Sequence, residues 1–471
     1  MKNLAIRFKI IYLSIVLAFA IGCSEDIMDQ IDANPNAPED VSINLLLPQV
    51  IMNAVRTVSG STTIFGVSTY VEHSANVRIN PIDPWDVSES HWSSCYYGLN
   101  DLEFMIGKAE EESNFDYLAI GQILYAYVLS NLTDLYGDIP MSEAVKGSEF
   151  RTPRFDSQEM VYSYLFTLLD DAIENLERQS VGNPGNTDMI FGGDMEMWRK
   201  TAYGLKARFH NRLSNIDPEG SANAALAALP NSFYSSEEGF GFNRYQQESS
   251  VYNNPWSAFQ NSQELFAVGK TLVDLMESFS GDLMNDPRAH TSFSLVDGEV
   301  VGAPTGANLA DPSHNRYSQP SRSQMLYNGA PQPILQYDEL KFIEAEAYFR
   351  LQNREAAFEA FQAGIRATLQ KNKVNEEEIE AYLLLPGMPE SSEELTLEHI
   401  IGQKYIAFWL YQPLEAFNDF RRTGIPEMSN PNGTPLRIPY PISEVNRNPN
   451  TPTEINDVTI FTTPVWWAKR N

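Results

Sequence analysis

Residues 115–140 read FDYLAIGQILYAYVLSNLTDLYGDIP. Ile120, Ile123, Leu124, Tyr127, Val128 and Leu135 recur at three-and-four spacing, which gathers them on one stripe of an α-helix. Gly137 ends that helix and Pro140 prevents its resumption. The same periodicity spreads outward. A helix is predicted from Asp156, as N-cap, to about Leu176. Others are predicted over 195–214, 221–229 and 262–279. The pattern returns over 336–369 as two helices meeting near Gln352-Asn353-Arg354, then over 374–384, 393–413 and 414–422. Paired amphipathic helices with short turns suggest tetratricopeptide-type hairpins, although the consensus positions of that repeat are not clearly present. The fold class is mostly α.

Between the helical blocks lie the stretches 60–92, 231–260, 281–335 and 425–471, rich in Asn, Ser, Gly, Pro and aromatic residues. Connections of this length are functional or disordered, and their aromatic content argues for order. They read as a loop-built face on a helical scaffold.

The first residues, MKNLAIRFKIIYLSIVLAFAIGCSED, form a secretory signal. Lys2, Arg7 and Lys9 precede an apolar run from Ile10 to Gly22 that is too short to span a bilayer of roughly 30 Å. Ala20-Ile21-Gly22-Cys23 resembles a lipobox, with Ala20 where Leu is usual. On this reading residues 1–22 are removed, Cys23 carries lipid, residues 23–40 are a tether, and 41–471 form one domain. The alternative is a simple signal peptide with a free Cys23. Ser24-Glu25-Asp26 resembles an acidic surface-export signal.

The chain has 33 basic and 62 acidic side chains. Residues 1–22 hold three of the basic ones and no acid, so the mature chain stands at −32. Nucleic acid is thereby disfavoured as a partner, because phosphate binding needs concentrated positive charge. Cys95, the one thiol besides Cys23, is expected to be a small packing residue. No two of the six histidines stand at i, i+4, and no H-E-x-x-H, G-x-S-x-G, Walker or G-x-G-x-x-G motif occurs. The reading is therefore a non-enzyme, with no cofactor and no metal; the alternative is a surface glycoside hydrolase, since 62 acids leave a catalytic carboxylate pair open.

Seven segments in order resemble the SusD/RagB family of outer-membrane nutrient-binding lipoproteins. They are Asn34-Pro35-Asn36; LTDLYGDIP with Asp134, Tyr136 and Asp138; the helix MWRKTAYGLKARFHNRLS with Trp198, Leu205 and Arg208; Asp286-Pro287-Arg288; QYDELKFIEAEAYFR with Glu339 and Glu346; FNDFRRTGIP with Arg421 and Arg422; and Arg437-Ile438-Pro439-Tyr440-Pro441 with the later Trp466-Trp467. The resemblance implies a right-handed helical scaffold with tetratricopeptide-like helix pairs and a loop-rich face for ligand and partner. It implies a lipid-anchored protein at the cell surface that captures glycans, or in some branches peptides. Its partner would be a SusC-like TonB-dependent transporter. Most motif residues are expected to be structural, with Glu344 and Glu346 pairing arginines such as Arg208 or Arg421, and with Trp466 and Trp467 as core anchors.

Glycan capture needs aromatic platforms for the apolar face of a sugar and polar groups for its hydroxyls. Candidates are Trp85 in the first loop region, near Trp92, Tyr70, Arg78 and Asn80; Tyr252 and Trp256 in the second, beside Asn254 and Gln260; and Arg316 and Tyr317 in the third. For each the competing reading is a loop-packing side chain.

Overall fold

A computed structural model describes residues 41–59, 62–77, 87–263, 266–306 and 316–470. The signal peptide, Cys23, the tether and Trp85 lie outside these residues. The chain is mostly helical, in agreement with the periodicity. In order the elements are α1 (Ile43–Ser59), α2 (Thr62–Tyr70), β1 (Ser74–Asn76), α3 (Val87–Glu111), α4 (Phe115–Tyr136), α5 (Gln158–Asn175), α6 (Met195–Arg212), α7 (Pro218–Ala228) and β2 (Gly239–Phe242). There follow α8 (Pro255–Gln263), β3 (Phe266–Val268), α9 (Lys270–Ser280), α10 (Ala289–Ser292), β4 (Gln332–Gln336) and α11 (Tyr337–Arg350). The last are α12 (Arg354–Lys371), α13 (Glu376–Leu383), α14 (Leu397–Phe408), α15 (Pro413–Thr423) and α16 (Ile442–Arg447).

The decisive stretch forms α4, but not as a one-faced helix. Every residue from Tyr117 to Tyr136 is buried, because α1, α3, α5 and α6 surround it. A helix apolar all round belongs in the middle of a core. Gly137 ends it at φ +81°, and its N–H donates to the Thr133 carbonyl. A β-carbon there would stand 3.0 Å from the Arg437 guanidinium. The next helix starts one residue later than its predicted cap. Ser157 Oγ accepts the Met160 N–H at 3.3 Å, while Asp156 instead accepts the N–H groups of Met141 and Ser142 at 2.9 and 2.8 Å. Asp194 caps α6, accepting from Glu196 N and Met197 N. Asn353 caps α12 at the predicted junction.

The expected helix over 262–279 is two helices with a strand between them. Phe266–Val268 pairs antiparallel with Ser74–Asn76, in the register Ser74↔Val268 and Asn76↔Phe266. Three-residue strands leave no periodic signal. A second ribbon pairs β2 with β4 antiparallel, with an irregularity between Phe240 and Gly241. The stretch 60–92 likewise holds α2 and the start of α3, so Trp92 is a helical core residue, edge-on to Tyr136 at 5.0 Å. One hydrophobic cluster runs from Ile43 to Ala468. Among the described residues no helix is long and apolar enough to cross a membrane.

Candidate ligand face

The motif carboxylates and arginines are assembled inside the scaffold. Asp134, 1 % exposed, accepts from Tyr162 Oη at 2.5 Å, Arg212 Nη1 at 2.8 Å, Trp467 Nε1 at 3.0 Å and Asn418 Nδ2 at 3.2 Å. Arg212 also pairs with Glu415 at 2.5 Å. Arg208 forks onto Glu339, both bonds 2.6 Å, and donates to the Ile334 carbonyl. Glu346 receives Arg422, Arg350 and Asn211, and Arg422 also donates to Asp419, which pairs in turn with Lys404. Burial alone would raise the Glu346 carboxyl, but Arg422 and Arg350 beside it hold it well below the usual carboxylate range. For Asp134 burial wins over Arg212 and the value rises.

Three expected pairings are corrected. Arg208 takes Glu339 rather than Glu344 or Glu346, and Glu344 pairs with Lys341 three residues earlier on α11. Arg421 meets Asn418 Oδ1 and the Leu436 carbonyl, and stacks over Phe417 and Trp467 at 4.1 and 4.8 Å. Its burial pushes it down to about 9. Trp467 is fully buried, as a core anchor should be.

The loop aromatics divide. Trp256 is 2 % exposed, with its indole edge-on to Phe65 at 4.5 Å. A ring so covered offers no face to a ligand in this conformation. Its expected polar neighbours hold backbone instead. Asn254 Nδ2 donates to the Ala330 carbonyl and its Oδ1 accepts the Trp256 N–H, while Gln260 bridges to the Phe266 backbone. Tyr252 stands 66 % exposed in a separate loop, held through its N–H to Ser249 Oγ at 2.9 Å.

Tyr317 lies at the β1–β3 ribbon. Its half-buried ring packs on Ala75, Val77, Ala267 and Ala303. The backbone beside it is fixed. Val268 N donates to the Ser318 carbonyl, Ala303 N to the Val268 carbonyl and Ser318 N to the Val301 carbonyl, at 2.8 to 2.9 Å. Arg316 is exposed beside it. The ribbon is anchored by Glu72, which is fully buried at φ +55°. Its carboxylate accepts from Thr271 Oγ1, Ser429 N, Ser429 Oγ and Asn430 N. Gly269 passes so close that an added β-carbon would sit 1.8 Å from the Glu72 carbonyl oxygen. Val77, just past β1, packs in the same small cluster. Tyr317 thus carries a half-buried phenol ring on a fixed backbone, with the exposed Arg316 next to it in sequence.

Cys95 is buried, 3.5 Å from His91 Nε2, and burial pushes its thiol far up and His91 down to about 4. This pair cannot form a thiolate–imidazolium couple near neutral pH. Among the described residues no group of three His, Cys, Asp or Glu side chains could hold a metal ion.

A mostly helical scaffold with an internal arginine–carboxylate lattice and a loop-built face defines a class, and comparison with known families gives it a name. Residues 35–441 match the SusD-like family described as starch-binding and associating with the outer membrane, and the chain belongs to that family. A SusD/RagB family protein of Bacteroides thetaiotaomicron superposes with TM-score 0.77 at 26 % identity, over 92 % of this chain and 100 % of the other. A SusD homologue of Parabacteroides distasonis gives 0.77 at 19 %, over 92 % and 99 %. A chitin-binding SusD homologue of Flavobacterium johnsoniae gives 0.75 at 20 %, over 90 % and 99 %. No curated protein matches the sequence.

Proposed function

We propose that this protein captures glycans at the cell surface and delivers them to a SusC-like TonB-dependent transporter, without chemistry on the glycan. Lipid on Cys23 anchors it to the outer membrane, and the helix pairs serve as a tetratricopeptide-like frame. The observation that carries the reading is the family match over 35–441, whose description joins starch binding to the outer membrane. The ring of Tyr317 on the fixed ribbon, with Arg316 next to it, supports a saccharide platform. Trp85 stays a candidate platform on its sequence alone, since it lies outside the described residues. Tyr252 is a second exposed ring.

The test is calorimetric titration of the full-length protein in detergent against neutral oligosaccharides, acidic oligosaccharides and peptides. A glycan should bind without cleavage, and Tyr317→Ala should weaken it about tenfold, the loss of one ring contact. Binding of peptides alone would replace the ligand class. Release of reducing ends, abolished by one carboxylate-to-amide change, would make the protein a hydrolase.

A further inference from the structure

A cleft of about 360 Å³ lies between the α10 region, the loop 324–333 and the C-terminal ends of α12 and α14. Its size is within the roughly 300–1,000 Å³ of small-ligand pockets. Aromatic side chains line it. Phe293 and Trp409 are its covered floor, packed together at 4.7 Å between centroids, with Trp409 fixed by its Nε1 donating to the His73 carbonyl at 3.2 Å, so that the rings open to a ligand are those of Tyr327 and Tyr411. Tyr327 and Tyr411 are half-buried at its wall, with the Tyr411 hydroxyl donating to the Met325 carbonyl.

The charge of the lining is opposite to that of the molecule. The chain carries 62 acids against 33 bases, yet no Asp or Glu lines this cleft, while Arg288, Lys371 and Lys373 do. Arg288 is matched by Asp286 at 2.7 Å and Lys371 by Asp338. Lys373 has no ion pair or side-chain hydrogen bond among the described residues. Its position is nonetheless fixed. It sits at φ +61° just past α12, its N–H donating to the Gln370 carbonyl at 2.8 Å and the next N–H to the Leu369 carbonyl at 3.1 Å. The exposed amide of Gln324 is on the same lining.

We propose that this cleft is a second saccharide site, selective for a sugar that carries a carboxylate, with Lys373 meeting the carboxylate and the aromatic wall meeting the ring. Flat rings supply apolar surface for the sugar's C–H face, and an unmatched ammonium in an otherwise acid-free lining selects an anion. The overall negative charge repels acidic ligands elsewhere on the surface, so the cleft concentrates what the rest of the molecule rejects.

The inference rests on the glycan-capture reading, and the two can fail separately. Digalacturonate and its carboxyl-reduced, neutral counterpart are titrated into the full-length protein in detergent. Digalacturonate should bind and the neutral disaccharide should bind about tenfold more weakly or worse, as expected for loss of one charge-assisted contact. Lys373→Asn removes the charge while keeping a residue tolerant of positive φ. It should cause a similar loss with an unchanged melting temperature, and Lys373→Arg should retain binding. Tyr327→Ala should weaken digalacturonate, and Tyr317→Ala should leave it unaltered. Wild-type binding by Lys373→Asn, or no digalacturonate binding at all, overturns the cleft while neutral glycans still report on Tyr317. A tri-aspartate peptide that binds as well as digalacturonate, with the same dependence on Lys373, overturns the sugar class. Silence toward every saccharide overturns the capture reading itself.

Discussion

Asp134 is the residue on which the most distant parts of the chain converge. Donors from α5, α6, α15 and the C-terminal segment end on its carboxylate. Its value is specificity of assembly more than net stability, because a buried ion pair gains little over apolar packing but is costly to break. Asp134→Ala leaves Arg212 with Glu415 alone and strands three further donors, and should lower unfolding free energy by roughly 3 kcal/mol, read as a shift in the urea midpoint. His91 gives a second prediction at this scale. Burial lowers it from 6.5 to about 4, so the unfolded chain takes up a proton before the folded one does. Its contribution is complete above pH 6.5 and is lost as pH falls toward 4, by on the order of 3 kcal/mol. His73, lowered to about 3 by burial, acts in the same direction. Melting temperatures between pH 7 and pH 4.5 should fall, with a shallower slope in His91→Asn. The sequence identified Asp134, Arg208 and Arg422 by resemblance, but not their partners. Choosing Glu339 over Glu344 for Arg208 depends on how α6 crosses α11, and no local pattern encodes that.

At the scale of elements, periodicity read several of the long helices to within a few residues, but it gave no range for α3, the 25-residue helix Val87–Glu111, and misread the stretches between helices. The pair α11 and α12 meets where Gln352-Asn353-Arg354 predicted. The β1–β3 ribbon was invisible because each strand is three residues long and its partner lies nearly two hundred residues away. That ribbon depends on Gly269, whose absent side chain admits the Glu72 carbonyl. Gly269→Ala should cost about 1–3 kcal/mol by overpacking and should also weaken glycan binding at Tyr317, which packs on the same ribbon. A variant that keeps binding while losing stability would separate the ribbon from the ligand face. Trp256 shows the opposite error. Composition placed it in a loop, but Asn254 starts a helix there and turns the indole onto Phe65. The cleft was missed for a related reason. Phe293, Tyr327, Trp409 and Lys373 come from four segments and share no spacing.

For the whole molecule, a strongly acidic body with no helix among its described residues long and apolar enough to cross a bilayer places the burden of attachment on Cys23 in the proposed reading. Cys23→Ser should move the protein from the membrane to the soluble fraction without changing its affinity for glycan, measured by fractionation followed by titration. The C-terminal segment is as important to the body as the first helices. Arg437 donates to the Tyr136 carbonyl, Tyr440 Oη to the Asp138 carbonyl and Trp467 Nε1 to Asp134. These contacts set a clock. Trp467 is made 333 residues after Asp134, which at roughly 5–20 residues per second is about 15 to 70 s of translation. During that interval the carboxylate at the centre of the body lacks one of its four donors. If the chain is exported as proposed, this contact forms only once its far end has been made.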